Sequence, residues 1–275
     1  MIHFTLVSEY ACTFSNLPEI HNNRIKIMDF SFNAKHFRSM FEQAVEGGID
    51  ASPLAQDAES SPEHMLAAMR QAIDVMQRAE ADILSESSEN MVEQKDISQI
   101  GDYVLTLIEG LIGHLQAASG TGSAIQSRAL MRLTLPVAMW VAHCGGRLDK
   151  LDLIVNALAD YANELRRPEQ LAELTRVMAT IIEVVSDTVR QDLEQTNPMR
   201  PWRILHINYG IIATRSHEPK LIEAAYDGLV KNLPNDAREF FREGMKQMDI
   251  IGYPQVVREV VERYDQMWGS ESTLH

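Results

Sequence analysis

Apolar residues recur at three- and four-residue intervals over most of this chain, and no stretch alternates with period two long enough to make a strand. Phe37, Met40, Phe41 and Ala44 predict a short amphipathic helix over 34–45, stopped by Gly47-Gly48. A turn-rich acidic linker, GIDASPLAQDAESSP, occupies 48–62. Ser61 then reads as a helix cap, with Pro62 at the first helical position and Glu63 in the first turn. The helix it opens carries the apolar stripe Met65, Met69, Ala72, Ile73, Met76, Ala79 and Ile83. A second polar connection spans 85–96, and a helix over 97–118 buries Ile100, Val104, Leu107, Ile108, Leu111 and Leu115. SGTGS (119–123) reads as a loop, followed by a helix over 124–144 that Pro136 kinks and Gly145-Gly146 ends.

Beyond 148 the pattern becomes helix pairs with very short joins. Residues 149–166 pair with 169–195, 201–215 with 219–232, and 235–251 with 254–267. Proline stands at or near the first turn after each join, at Pro168, Pro201, Pro219, Pro234 and Pro254, where its missing N–H costs nothing. The fold class is therefore all-α, with antiparallel helix pairs forming a bundle or a short helical-repeat array. The expected organisation is an N-terminal helical region (28–118) with linkers at 48–62 and 85–96, then a C-terminal array (124–268) and a disordered tail (269–275). Residues 1–27 share none of this periodicity. They read as a flexible arm or as an extension upstream of a start at Met28.

The last two pairs begin 34 residues apart, at Pro201 and Asn235, and their second helices 35 apart, at Pro219 and Pro254. Such a period marks stacked helix–turn–helix units. Trp202-x-x-Leu205-x-x-x-Tyr209 resembles the first helix of a tetratricopeptide repeat. Tyr226-x-x-Leu229, running on to Pro234-Asn235-Asp236, resembles the end of that repeat and its following turn. The sequence departs from the family at His206, where a glycine is usual. About four extra residues separate the half-motifs, and 235–267 keeps only Phe240 or Phe241 and Gly252. The resemblance covers 201–267 and implies a module that binds a peptide along its first helices.

Charge narrows the partners. The chain of 275 residues carries a formal charge of −14, concentrated in 46–100, where 12 acidic residues face 3 basic ones. Such a surface repels phosphate backbones, so nucleic acid is excluded as an expected partner. The longest apolar run, LTLPVAMWVAHC (133–144), is too short to span a bilayer and reads as a buried helix, so no membrane insertion is expected. Two widely separated cysteines, Cys12 and Cys144, suggest no disulfide framework and fit a cytoplasmic location.

Catalytic signatures are missing. There is no HExxH, no Glu-x-x-His pair and no Gly-x-Ser-x-Gly elbow. SGTGS follows a helix and lacks the lysine of a phosphate loop. No catalytic residue, metal ligand or cofactor is assigned. His143-Cys144 reads as a helix-end histidine beside a buried thiol. The Met stripe reads as core, and Asp152, Asn156, Asp160 and Asn163 as a solvated face. The most informative segment is PWRILHINYGIIATRS (201–216). Its binding candidates are Arg203, His206, Asn208, Tyr209 and Arg215, and Gly210 marks a close approach of another helix or a ligand. The expected function is a non-enzymatic module that binds another protein or peptide, or a second copy of itself, in a groove between helices. The alternative is an enzyme or small-ligand binder with a pocket near 201–217, using Arg203, His206, Tyr209, Arg215 and His217.

Overall fold

Asn33 sets the first helix: its side-chain oxygen accepts from the His36 amide at 3.0 Å, and α1 runs Ala34–Ala44. The computed structural model describes residues 30, 32–50, 60–84, 93–117 and 121–269; the expected arm, most of both linkers and the tail lie outside them. Further helices are α2 (Pro62–Leu84), α3 (Gln94–Ala117), α4 (Thr121–Arg132), α5 (Thr134–His143), α6 (Asp152–Glu164), α7 (Pro168–Val184) and the single turn α8 (Asp187–Arg190). Then come α9 (Pro201–Ser216), α10 (Pro219–Asn232), α11 (Pro234–Ile251) and α12 (Gln255–Tyr264), which closes in a π-helical turn, Asp265–Gly269. Among the described residues no strand forms; the one extended contact is an isolated bridge between Leu148 and Val185. The chain is all-α.

Two compact units divide the described residues: those within 30–157 together with 183–188, and 158–182 with 189–269. The boundary between them falls inside α6. The reason is packing: α4 and α5 lie against α3 in the first unit, where a Cβ on Gly101 would run into Val141, and one on Gly146 would come within 2.7 Å of Ile97.

In the first unit the Met stripe is core. Met69, Ile73 and Met76 are fully buried, and the Met65 sulfur lies 2.8 Å from where a Cβ on Gly110 would stand. Ser61 caps α2 as expected, accepting from the His64 amide at 3.3 Å. Arg70 grips Glu42 through two bonds of 2.8 and 2.9 Å, and Arg38 reaches Asp74 at 2.5 Å. These exposed pairs contribute on the order of 0.5 kcal/mol each. Pro136 does more than kink its helix. The residue whose carbonyl it would crowd is Arg132, and α4 ends there; Leu133 carries the break, and Pro136 becomes the third residue of α5. The helix also starts inside SGTGS, at Thr121, which shortens the expected loop.

The helix expected over 169–195 stops at Val184. Leu148 donates to the Val184 carbonyl at 2.8 Å and accepts from the Ser186 amide at 2.9 Å, which draws the β-branched pair Val184-Val185 into an extended contact. Asn156, expected on a solvated face, is buried, whereas Asp152 and Asn163 are exposed.

In the second unit α9 is central. Trp202 and every residue from Ile204 to Thr214 are buried, so it has no polar face. It packs most extensively on α10, reached through His217 in the left-handed conformation (φ +60). Tyr226 of α10 anchors an aromatic cluster: the Phe240, Phe241 and Tyr264 rings stand 5.6, 5.0 and 5.1 Å from it, edge to face. Its hydroxyl shares a 2.7 Å hydrogen bond with Thr214, which satisfies the buried oxygen. The close approach expected at Gly210 is made by a neighbouring helix. A Cβ there would stand 2.6 Å from Cζ of Phe240 on α11.

Candidate functional site

Helix α9 carries polar groups at its start, its middle and its end, each held differently. At the start, Arg200 binds Asp192 through bonds of 2.5 and 2.9 Å and also donates to the carbonyls of Gln195 and Asn197 at 3.3 and 3.1 Å. Asp192 adopts a left-handed backbone (φ +49), which an aspartate tolerates better than most residues. Arg203 donates to Asp236 at 2.8 Å and to the Pro198 carbonyl at 3.0 Å. All four charged side chains are at most 17% exposed. This knot ties the irregular segment 191–199 onto the head of α9.

At the middle, His206 is fully buried and neither ring nitrogen has a hydrogen-bond partner among the described residues. Its ring meets Trp202 edge-on at 4.3 Å, and the Trp202 indole nitrogen is also buried without a partner. Burial, aided by the nearby Arg190 charge, pushes the His206 pKa down to about 3, so the imidazole is neutral across the physiological range. Asn208 and Tyr209 are buried as well.

At the end, Arg215 donates to the Leu165 carbonyl at 3.3 Å. The His217 ring meets Tyr253 edge-on at 5.6 Å. These two contacts set three joins side by side: 165–167 between α6 and α7, 217–218 between α9 and α10, and 252–254 between α11 and α12. Burial pulls Arg215 below the usual guanidinium range; Tyr253 opposes the shift and the neighbouring Arg166 adds to it. Tyr253 is pushed above an ordinary phenol by burial, against the pull of Arg215. His217 is held below an ordinary imidazole by burial, with Glu169 opposing.

The structure therefore does not bring the five residues singled out in the sequence to one place. Arg203 belongs to the ionic knot, His206, Asn208 and Tyr209 lie inside, and Arg215 lies at the far end with His217. Arg166 and Tyr253 were missed. No local signal marks them: Arg166 stands two residues before Pro168 and Arg215 four before Pro219, and the third join carries no cation before Pro254. The turn of the third hairpin is apolar and exposed: Ile250 is 75%, Ile251 57% and Val256 51% open to solvent. Among the described residues, no three His, Cys, Asp or Glu side chains are grouped to hold a metal, and no helix is long and apolar enough to cross a membrane. Cys144 carries a free thiol beside α2, and His143 is exposed. Compared with protein-family models, with curated proteins and with solved structures, the chain matches none of them.

Proposed function

We propose that this protein is a non-enzymatic interaction module whose second unit binds another protein at the turn of its third hairpin. One observation carries this reading: Ile250, Ile251 and Val256 are exposed together across the tight turn at Gly252. Single exposed apolar residues are ordinary. Three large ones within seven positions form a patch whose burial by a partner releases ordered water. The 34- and 35-residue spacings and the successive short-looped hairpins support an array of the tetratricopeptide type. The charge of −14 argues against nucleic acid as the partner, and the free Cys144 thiol fits a reducing, cytoplasmic setting.

The expected groove along α9 receives no support, because His206, Asn208 and Tyr209 are buried. The test is chemical cross-linking of the full-length chain in cells, followed by stoichiometry of the isolated complex. The wild type is expected to yield a partner at fixed ratio, or a dimer of itself. Ile250→Asp with Ile251→Asp is expected to abolish it while melting within about 2 °C of wild type, since both side chains are already in water. A complex unchanged by the double substitution would refute the reading.

A second reading rests on the nitrogens of His206 and Trp202, which are buried without a partner among the described residues of the second unit. A small-molecule binder would use them. Its mark is a ligand that quenches Trp202 fluorescence and raises the melting temperature of the wild type but not of His206→Leu.

A further inference from the structure

This chain has 39 acidic residues for 25 basic ones, so a guanidinium without a carboxylate is not explained by any shortage of acids. Arg215 is such a group. It is half-buried, and among the described residues its single hydrogen bond goes to the Leu165 carbonyl. Arg166 stands near enough to depress it further, and its own hydrogen bond goes to the Asn163 carbonyl at 2.6 Å. Neither forms an ion pair among the described residues. The local acids are already engaged: Glu169 lies 3.4 Å from Arg167, and Glu218 lies 2.9 Å from Arg176. Tyr253 adds a hydroxyl with no hydrogen bond among the described residues, and His217 adds an imidazole against its ring. Two like charges brought together in a partly dry place cost free energy until an anion bridges them.

We propose that Arg215, Arg166, Tyr253 and His217 form the anchor for a carboxylate on an acidic segment of the partner protein. The inference rests on the interaction reading above and names the chemistry of its ligand. Arg215 would grip the carboxylate with its free guanidinium edge, Arg166 would reach it from the rim, and the Tyr253 hydroxyl would donate to it. Tyr253 adjoins Gly252 and the exposed Ile251, so the recognised segment pairs an acidic side chain with neighbouring apolar ones. A carboxylate suits the site better than a phosphate. The phenol and imidazole are neutral at pH 7, and two guanidinia with Glu169 close by offer little charge for a dianion.

The experiment follows the arginine Nε–H signals of the full-length chain by nuclear magnetic resonance during titration with acetyl-Leu-Glu-Leu amide, its Gln analogue, and inorganic phosphate. The Glu peptide is expected to shift Arg215 and Arg166 saturably, with the Gln analogue weaker by about tenfold, one charge-assisted pair at a partly exposed site. Arg215→Gln is expected to remove the response, and Arg166→Gln, an exposed change that leaves the fold alone, to weaken it. Equal responses to Glu and Gln peptides, no saturable shift, or shifts spread over Arg167, Arg176 and Arg263 would overturn the proposal. So would tighter binding of phosphate, which would assign the site to a phosphorylated partner instead. A cross-linked complex that survives Arg215→Gln removes this anchor but leaves the interaction reading standing; a complex lost only in the Ile250/Ile251 variant does the same.

Discussion

Replacing His206 by leucine puts the account of α9 to its hardest test, because deleting a buried native side chain is expected to stabilise the protein. Each buried polar atom left without a partner costs about 1–3 kcal/mol, and His206 contributes two. Leucine is close in volume and has nothing to satisfy. Against this gain stand the edge-on contact with Trp202, worth about 0.5–1.5 kcal/mol, and about 1 kcal/mol for imperfect shape. The midpoints of these ranges leave leucine ahead by about 2 kcal/mol at pH 7. The gap should widen in acid. The folded histidine has a pKa of about 3, so between its unfolded value near 6.5 and pH 3 only the unfolded chain binds this proton. Wild-type stability therefore falls with pH across that window by about 1.4 kcal/mol per unit from this one group, or about 2 kcal/mol by pH 5. The leucine variant lacks that slope. Urea unfolding of both proteins at pH 7, 6 and 5 measures both effects. A variant less stable than wild type at pH 7, with a gap that stays constant down to pH 5, would refute the burial argument.

Gly210→Ala should lower the melting temperature: the about 1 kcal/mol that alanine gains in a helix is outweighed by forcing Phe240 from its place, about 1–3 kcal/mol in a packed core. Arg200→Met leaves Asp192 buried without its cation, so calorimetry should show a loss of about 3–5 kcal/mol and proteases should cut within 191–199. The Cys144 thiol, pushed up to about 11 by burial and by Glu80, should react with Ellman's reagent at pH 8 about a hundredfold more slowly than a free thiol, in a Cys12→Ser background. Its rate should rise about tenfold per pH unit up to pH 10; a plateau near pH 8.5 would show an ordinary, solvated thiol.

Much of the helical layout is written in local chemistry. Ser61-Pro62, Pro201, Pro219 and Gly252 set helix ends through their own backbone restrictions, so a window of a few residues reveals them. The segment 185–195 could not be read this way. Its composition suits a helix, and what ends it is the distant Leu148 backbone, which is silent in local sequence. The same limit governs the site. Arg203, His206 and Arg215 share one helix, but the sequence does not say that α9 is enclosed on every side. Its mix of polar and apolar residues reads as one solvated stripe, and only tertiary packing shows otherwise. Gly210 was legible because a glycine in mid-helix needs a reason, and Phe240 supplies it.

His217 and Gly252 hold corresponding corners of successive hairpins, both with positive φ, yet one carries an imidazole and the other nothing. Glycine at 217 would relax the backbone by about 1 kcal/mol, so the second corner keeps a costlier residue than its geometry requires. For protein engineering this makes position 217 a diagnostic: a stabilising His217→Gly change that weakens partner capture would show that conformational ease was traded there for recognition.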